Sequence, residues 1–205
     1  MLYMKKISQT LQTALPARDR ILEAAHGLFY SEGIRATGID RVIAESGVTK
    51  VTFYRHFPSK NDLICAYLEY RHQRWMDWFM DALRRHQTGK NVCALDALVP
   101  ALSEWFNHEN FRGCAFINGV GEVGIAIPEV MTISRSHKDD MTKAISELLP
   151  SSRRKKALAQ AIAVAVDGAI VKAQFDESPE TALQGLKLLL ESVKHLELRT
   201  SREET

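Results

Sequence analysis

The sequence predicts an all-α fold of about nine helices, with an N-terminal three-helix helix-turn-helix unit joined to a larger C-terminal helical body. Apolar residues recur at helical spacing along most of the chain, and no segment interrupts them with the alternation of a strand. Glycine and proline mark boundaries at Gly33, Gly47, Pro58, Pro128, Pro150 and Pro179. With 205 residues, 45 % of them hydrophobic, the chain supports one compact body plus a small appended domain.

The first helix is read from Arg18 to Tyr30. Ile21, Leu22, Ala25, Leu28 and Phe29 share one face, Pro16 sits near the first turn where a missing N–H costs nothing, and Gly33 follows the end. A short helix over 38–45 follows, with Ile39, Val42, Ile43 and Ala44 apolar. Its start signal is Thr37, set to accept first-turn N–H groups, with Asp40 three residues on completing a capping box. Gly47 stands where a chain leaving a helix takes positive φ, before a second short helix over 49–56. Each would be only about 10 to 12 Å long, so both must pack on longer neighbours. Pro58 holds Phe57 extended, Ser59 caps with Asp62 as partner, and a long helix runs through Leu63, Ile64, Tyr67, Leu68 and Arg71 to about His86.

Further helices are expected over Cys93–Phe106, with Pro100 as an internal irregularity, and over Cys114–Ile127, loosened by Gly119, Gly121 and Gly124. Others run from Pro128 to Pro150, from Arg153 to Phe175, and from Pro179 to Leu196. The glycines of the Cys114 helix serve either a shift within the domain or close packing. No window of 18 or more purely apolar residues suggests a membrane span, and Met1–Leu15 lacks the apolar core and cleavage site of a secretion signal. A cytoplasmic protein with no membrane partner is expected. Cys65, Cys93 and Cys114 are too scattered for a zinc finger or a disulfide scaffold, so no metal or cofactor is expected. The seven histidines are dispersed, with no HExxH, nucleophile-base ordering or Gly-rich phosphate loop beside them, which argues against an enzyme.

The segment 49–60 concentrates side chains suited to nucleic acid. Lys50, Arg55 and Lys60 suit phosphates, Thr49 and Thr52 are short donors and acceptors, Tyr54 offers a phenol and a flat face, and His56 donates from either ring nitrogen. Phe53 and Phe57 read as core. A solvated helix face would have a similar composition, but the turn, the caps and the flanking helices favour a surface fitted to a major groove. Residues 1–60 hold nine Lys/Arg against five Asp/Glu, a balance of +4, whereas the whole chain is +2. The cationic footprint therefore belongs to the N-terminal quarter.

In fixed register, Ile21-Leu22, Ala25, Leu28-Phe29, Gly33, Thr37-Gly38-Ile39, Ile43-Ala44, Ser46-Gly47-Val48-Thr49-Lys50, Phe53-Tyr54-Arg55-His56-Phe57 and Ser59-Lys60-Asn61-Asp62-Leu63 resemble the tetracycline-repressor (TetR) family of bacterial transcriptional regulators. The resemblance is close over about Arg20–Leu63 and weak elsewhere. It implies a flexible arm over 1–15, a DNA-binding domain over 16–62, an effector-binding and dimerisation domain over 63–199, and a tail over 200–205. It implies DNA contacts from Thr37, Thr49, Lys50, Thr52, Tyr54, Arg55, His56 and Lys60. Gly38 and Asp40 depart from the small polar or basic residues many members carry, which reduces what the 38–45 helix gives to binding.

The same resemblance implies a homodimer formed through the last two long helices, on a pseudo-palindromic double-stranded operator. Ile162, Val166, Ile170, Leu186, Leu190 and Val193 are the dimer candidates, on helices whose alanines permit close approach. Trp75, Trp78, Phe79, Trp105, Phe106, Cys114, Asn118, Met131 and His137 are the candidate lining for a small, hydrophobic effector, since aromatic and Met side chains pack against varied shapes. The expected function is a repressor released by that effector. The alternatives are a ligand-free DNA-binding dimer, or a thiol sensor in which Arg112 and a helix start activate Cys114.

Overall fold

The computed structural model describes residues 15–87 and 93–203, with side chains as far as His195. Apart from Leu15, the arm expected over 1–15 lies outside the described residues, as do 204–205 of the expected tail. Among the described residues the regular structure is helical: α1 (Ala17–Glu32), α2 (Ile39–Ser46), α3 (Lys50–His56), α4 (Lys60–His86), a 3-10 turn (Ala94–Ala97), α5 (Leu98–Phe106), α6 (Ala115–Val123), α7 (Pro128–Glu147), α8 (Lys155–Phe175) and α9 (Glu180–Glu203).

Local chemistry explains most boundaries. The extended Pro16 offers its carbonyl to the N–H groups of Asp19 and Arg20 at 3.0 and 3.1 Å, and the N–H of Gly33, at φ 94°, closes α1 on Phe29. Gly47 ends α2 in the left-handed region at φ 61°, as its position foretells. The Thr49 hydroxyl accepts the Thr52 N–H at 3.2 Å and so caps α3. At the start of α4, Ser59 Oγ accepts the Asp62 N–H at 3.2 Å and donates to its carboxylate at 2.6 Å.

Four expectations are corrected. The capping box at Thr37 and Asp40 does not form: Gly38 precedes α2 with no side-chain cap. The Thr37 hydroxyl instead donates to Gly33 O at 2.8 Å, since the turn over 34–36 brings it back over that carbonyl. The helix read over Cys93–Phe106 divides into a 3-10 turn and α5, since Pro100 has no N–H for residue 96. The helix expected to reach Ile127 ends at Val123, as Pro128 disfavours a helical Ile127. At the other end of the chain, α9 runs to Glu203, beyond the expected end at Leu196.

Packing divides the chain into two compact units, whose bounds differ from the domains expected over 16–62 and 63–199. The first comprises the described residues up to Trp78 with Ala115–His137; the second comprises Phe79–Cys114 with the chain from Lys138 onward. In the first, α1 packs on α2 and α3. Ile21, Val42, Phe53, Leu63 and Leu68 are fully buried, each worth about 1.5–3 kcal/mol. In the second, α9 packs on α8 and α5.

Polar groups also tie α1 to α4 inside the first unit. Glu23 accepts from Arg74 at 2.8 Å and from the Tyr70 hydroxyl. Arg71, itself buried, donates to His26 Nε2 at 3.1 Å and lies 3.9 Å above the Tyr30 ring. Arginine only donates, so His26 presents a bare Nε2 and carries its proton on Nδ1. Burial first, then the Arg71 and Arg74 charges, hold the His26 pKa down to about 3 from 6.5. The folded state therefore refuses a proton that the unfolded chain accepts, and the His26 contribution is present above pH 6.5 and lost as pH falls toward 3. Unfolding titrations between about pH 5.5 and 4 should show stability falling by about 1.4 kcal/mol per unit from this residue. His26→Gln should flatten the slope by one proton; an unchanged slope would remove His26 from the account.

Candidate nucleic-acid interface

The seven residues of α3 present two faces. Phe53 is fully buried, with its ring 6.2 Å from that of Phe57 and 5.3 Å from that of Tyr54. Val51, Tyr54 and Arg55 on the other face are exposed, as is Lys50 in the first turn, and Thr52 and His56 are half-buried. Thr49 and Thr52 share a hydroxyl contact of 2.9 Å beside the cap. The ion pair of Lys50 with Asp40, 3.4 Å long and open to water, holds the lysine weakly. Arg55 has no ion-pair partner among the described residues. Val51, to which the sequence analysis gives no role, is 81 % exposed. Its spacing of three and four from Tyr54 and Arg55 is the signal that places it on their face.

Thr37 and Lys60 stand differently from the other expected DNA contacts. Thr37 is 1 % exposed and bonded to Gly33 O, so it cannot meet a phosphate from this position, which corrects the family-based assignment. Lys60 is half-buried with Nζ donating to Ile34 O at 2.7 Å. Burial lowers its pKa, and the Glu122 carboxylate opposes that shift. Glu122 Oε2 also accepts the Arg35 N–H at 2.9 Å. Three side chains thus satisfy successive backbone groups of the loop entering α2: Thr37 at Gly33, Lys60 at Ile34 and Glu122 at Arg35. Glu122 had no signal in the sequence beyond being a charge on an otherwise apolar helix.

The candidate effector residues fall into separate groups. In the first unit, His137 on α7 is buried, stacks on Phe116 of α6 with ring centroids 3.7 Å apart, and meets Trp75 of α4 edge to face at 5.1 Å. Its Nδ1 lies 3.1 Å from His72 Nδ1, so one ring donates and the other accepts. Trp78 lies beside Trp75 at 6.1 Å, and Asn118 is half-buried on α6. Met131 is instead an exposed side chain of α7. His72 and Phe116 complete this group. In the second unit, Trp105, Phe106 and Phe111 form their own ring cluster with centroids 5.2 to 5.7 Å apart. Phe79 and Cys114 are buried in that unit. Arg112 donates to the carbonyls of Glu109 and Phe111. No group of three or more His, Cys, Asp or Glu able to hold a metal occurs among the described residues.

Five of the six dimer candidates are turned into the chain itself. Ile162, Val166, Ile170, Leu186 and Leu190 are buried within the single chain, where α8 packs on α9, and Val193 is half-buried. The centre of each apolar stripe is spent on its own neighbour. The apolar side chains left outward on these helices are Val164, Phe175, Leu188 and Leu189, with Phe175 80 % exposed.

Comparison with known proteins bears on this architecture. Residues 21–67 match the sequence model of the bacterial regulatory proteins of the tetR family. The transcriptional activator FasR of Mycolicibacterium smegmatis is 33 % identical over 95 residues, 45 % of this chain and 42 % of FasR. An HTH-type transcriptional regulator of Staphylococcus aureus is 44 % identical over 55 residues, 27 % of this chain and 29 % of that protein. The chain thus matches less than half the length of these two relatives. Among solved structures, a TetR transcriptional regulator of Chloroflexus aurantiacus shares the fold with a TM-score of 0.73 at 21 % identity, covering 91 % of this chain and 97 % of that one. SCO4454, a TetR-family transcriptional regulator of Streptomyces coelicolor, matches at 31 % identity with a TM-score of 0.72, over 86 % of this chain and 95 % of its own. The likeness to SCO4454 over nearly its whole length, together with the matched N-terminal segment, makes this chain a member of the TetR family.

Proposed function

We propose that this protein is a homodimeric, sequence-specific transcriptional repressor that leaves a pseudo-palindromic operator when a small hydrophobic effector binds. The observation that carries the reading is the outward face of α3, where Val51, Tyr54 and Arg55, with Lys50 in the first turn, stand exposed on a helix anchored by the buried Phe53. Lys50 and Arg55 suit phosphates or guanine edges, Tyr54 a base or backbone oxygen, and the exposed Val51 methyls suit the methyl group of thymine. Thr49, Thr52 and His56 flank that face. Repression by occlusion needs nothing further from the protein than occupancy of the site. Activation is the second reading, favoured by the name of FasR as an activator.

A second copy of the chain is the partner best fitted to the outward side chains of α8 and α9. Helix α8 has 21 residues, apolar enough by length and composition to cross a membrane, and only 39 % of its most apolar window is buried within the chain. Val164, Phe175, Leu188 and Leu189 would be covered on pairing. A two-fold dimer presents two copies of α3 to half-sites about 34 Å apart. The effector reading is supported by the His72–His137 pair among Phe116, Trp75 and Trp78, a polar group with hydrogen-bonding capacity in aromatic surroundings. A cytoplasmic location accords with this role.

Tyr54→Ala should weaken operator binding by about tenfold to a hundredfold, the scale of one good base contact, without changing oligomeric state. Equal affinity in a fluorescence-anisotropy titration would remove Tyr54 from the interface. Leu189→Glu, at a side chain exposed in the single chain, should convert the protein to monomer at micromolar concentration in sedimentation velocity while leaving its helicity intact. An unchanged sedimentation coefficient would move the dimer interface elsewhere.

A further inference from the structure

The loop 33–37 delivers the chain into α2, and its backbone is held by side chains from outside the helix-turn-helix. Glu122, near the end of α6, accepts the Arg35 N–H at 2.9 Å. The same carboxylate approaches Gly33 so closely that a Cβ there would lie 3.3 Å from Oε2, at a φ of 94° that already disfavours a side chain. Three residues earlier on α6, a Cβ on Gly119 would lie 3.6 Å from Ile34 Cδ1 and 3.8 Å from Leu68. Helix α6 therefore touches the loop at consecutive residues, through apolar contact at Ile34 and a charged acceptor at Arg35. Lys60 fixes Ile34 O from the start of α4, close enough to Glu122 for the two charges to interact.

We propose that Glu122 is a positioning residue for DNA binding: through its hydrogen bond to the Arg35 amide, it holds the 33–37 loop and with it the orientation of α2 and α3. The proposal rests on the DNA-binding reading above and extends it to a residue outside the helix-turn-helix. Lys60 is the second arm of the same clamp, spending its ammonium on Ile34 O. Electrostatics gives the test its sign. Removing a negative charge from a DNA-binding unit strengthens attraction to a polyanion when charge alone matters. A loss of specific binding on removing Glu122 is therefore the mark of positioning.

The test uses the full-length protein with Glu122→Ala and Glu122→Gln. The duplex is one recovered by the wild-type protein from a randomised pool, beside a scrambled duplex of equal length. Glutamine keeps an acceptor for the Arg35 N–H and loses only the charge. Glu122→Ala should bind the selected duplex about tenfold more weakly, the scale of one charge-assisted hydrogen bond, with scrambled-duplex affinity equal or higher. Glu122→Gln should stay within about twofold of wild type on the selected duplex. Amide hydrogen exchange at Arg35, which needs no DNA, should speed up in Glu122→Ala and remain protected in Glu122→Gln. An Ala variant with the wild-type ratio of specific to scrambled affinity, or Ala and Gln variants with equal losses, would overturn the proposal. Unchanged exchange at Arg35 would overturn the clamp itself, whereas a wild-type protein that recovers no sequence would count against the DNA-binding reading.

Discussion

The burial of Phe53 is the interaction on which the rest of the DNA-facing surface depends. A seven-residue helix closes too few backbone hydrogen bonds to offset the cost of nucleation, so α3 exists because tertiary contacts hold it. Phe53 supplies those contacts at the centre of the helix, and the Thr49 cap supplies the first N–H partner. Once that face is fixed, the helical period leaves no freedom for the other one: residues 51, 54 and 55 must point outward together, and Lys50 joins them in the open first turn. The same constraint that makes α3 fold aims its side chains.

The second requirement is orientation, and it is met by hydrogen bonds more than by apolar area. Gly33 breaks α1 with a positive φ, which leaves the backbone of the next residues without helical partners. Thr37, Lys60 and Glu122 take up those groups one at a time. A polar group satisfied by one partner in one geometry favours a single arrangement, whereas apolar packing tolerates small slides. The Glu23, Tyr70, Arg74 and His26, Arg71 contacts act in the same way between α1 and α4.

The helices were legible because their signals are local. Gly47, the Ser59–Asp62 pair, Pro16 and the apolar period of α1 each act within a few residues, and each stands where its chemistry foretells. The exposed face of α3 was legible for the same reason, apart from Val51, whose outward place follows only from knowing that Phe53 points inward. Contacts between distant residues were not legible. Thr37 reads as a cap, yet its partner is set by the turn over 34–36; Lys60 reads as a phosphate ligand, yet Ile34 O and Glu122 come to it through the fold. Five of the dimer candidates lie inside the chain for a related reason, because periodicity identifies an apolar stripe without saying which part of it meets a neighbour in the same chain. Ile162 and Leu186 meet that neighbour, and Val164 and Leu189 do not.

The central claim is that two copies of α3 read a duplex in a sequence-specific way, and selection from a randomised pool of double-stranded DNA by the full chain, at near-physiological salt, tests it most directly. The account predicts enrichment of one inverted repeat whose half-sites lie about one helical turn apart. A pool that stays random, from protein shown to be folded and dimeric, would contradict it.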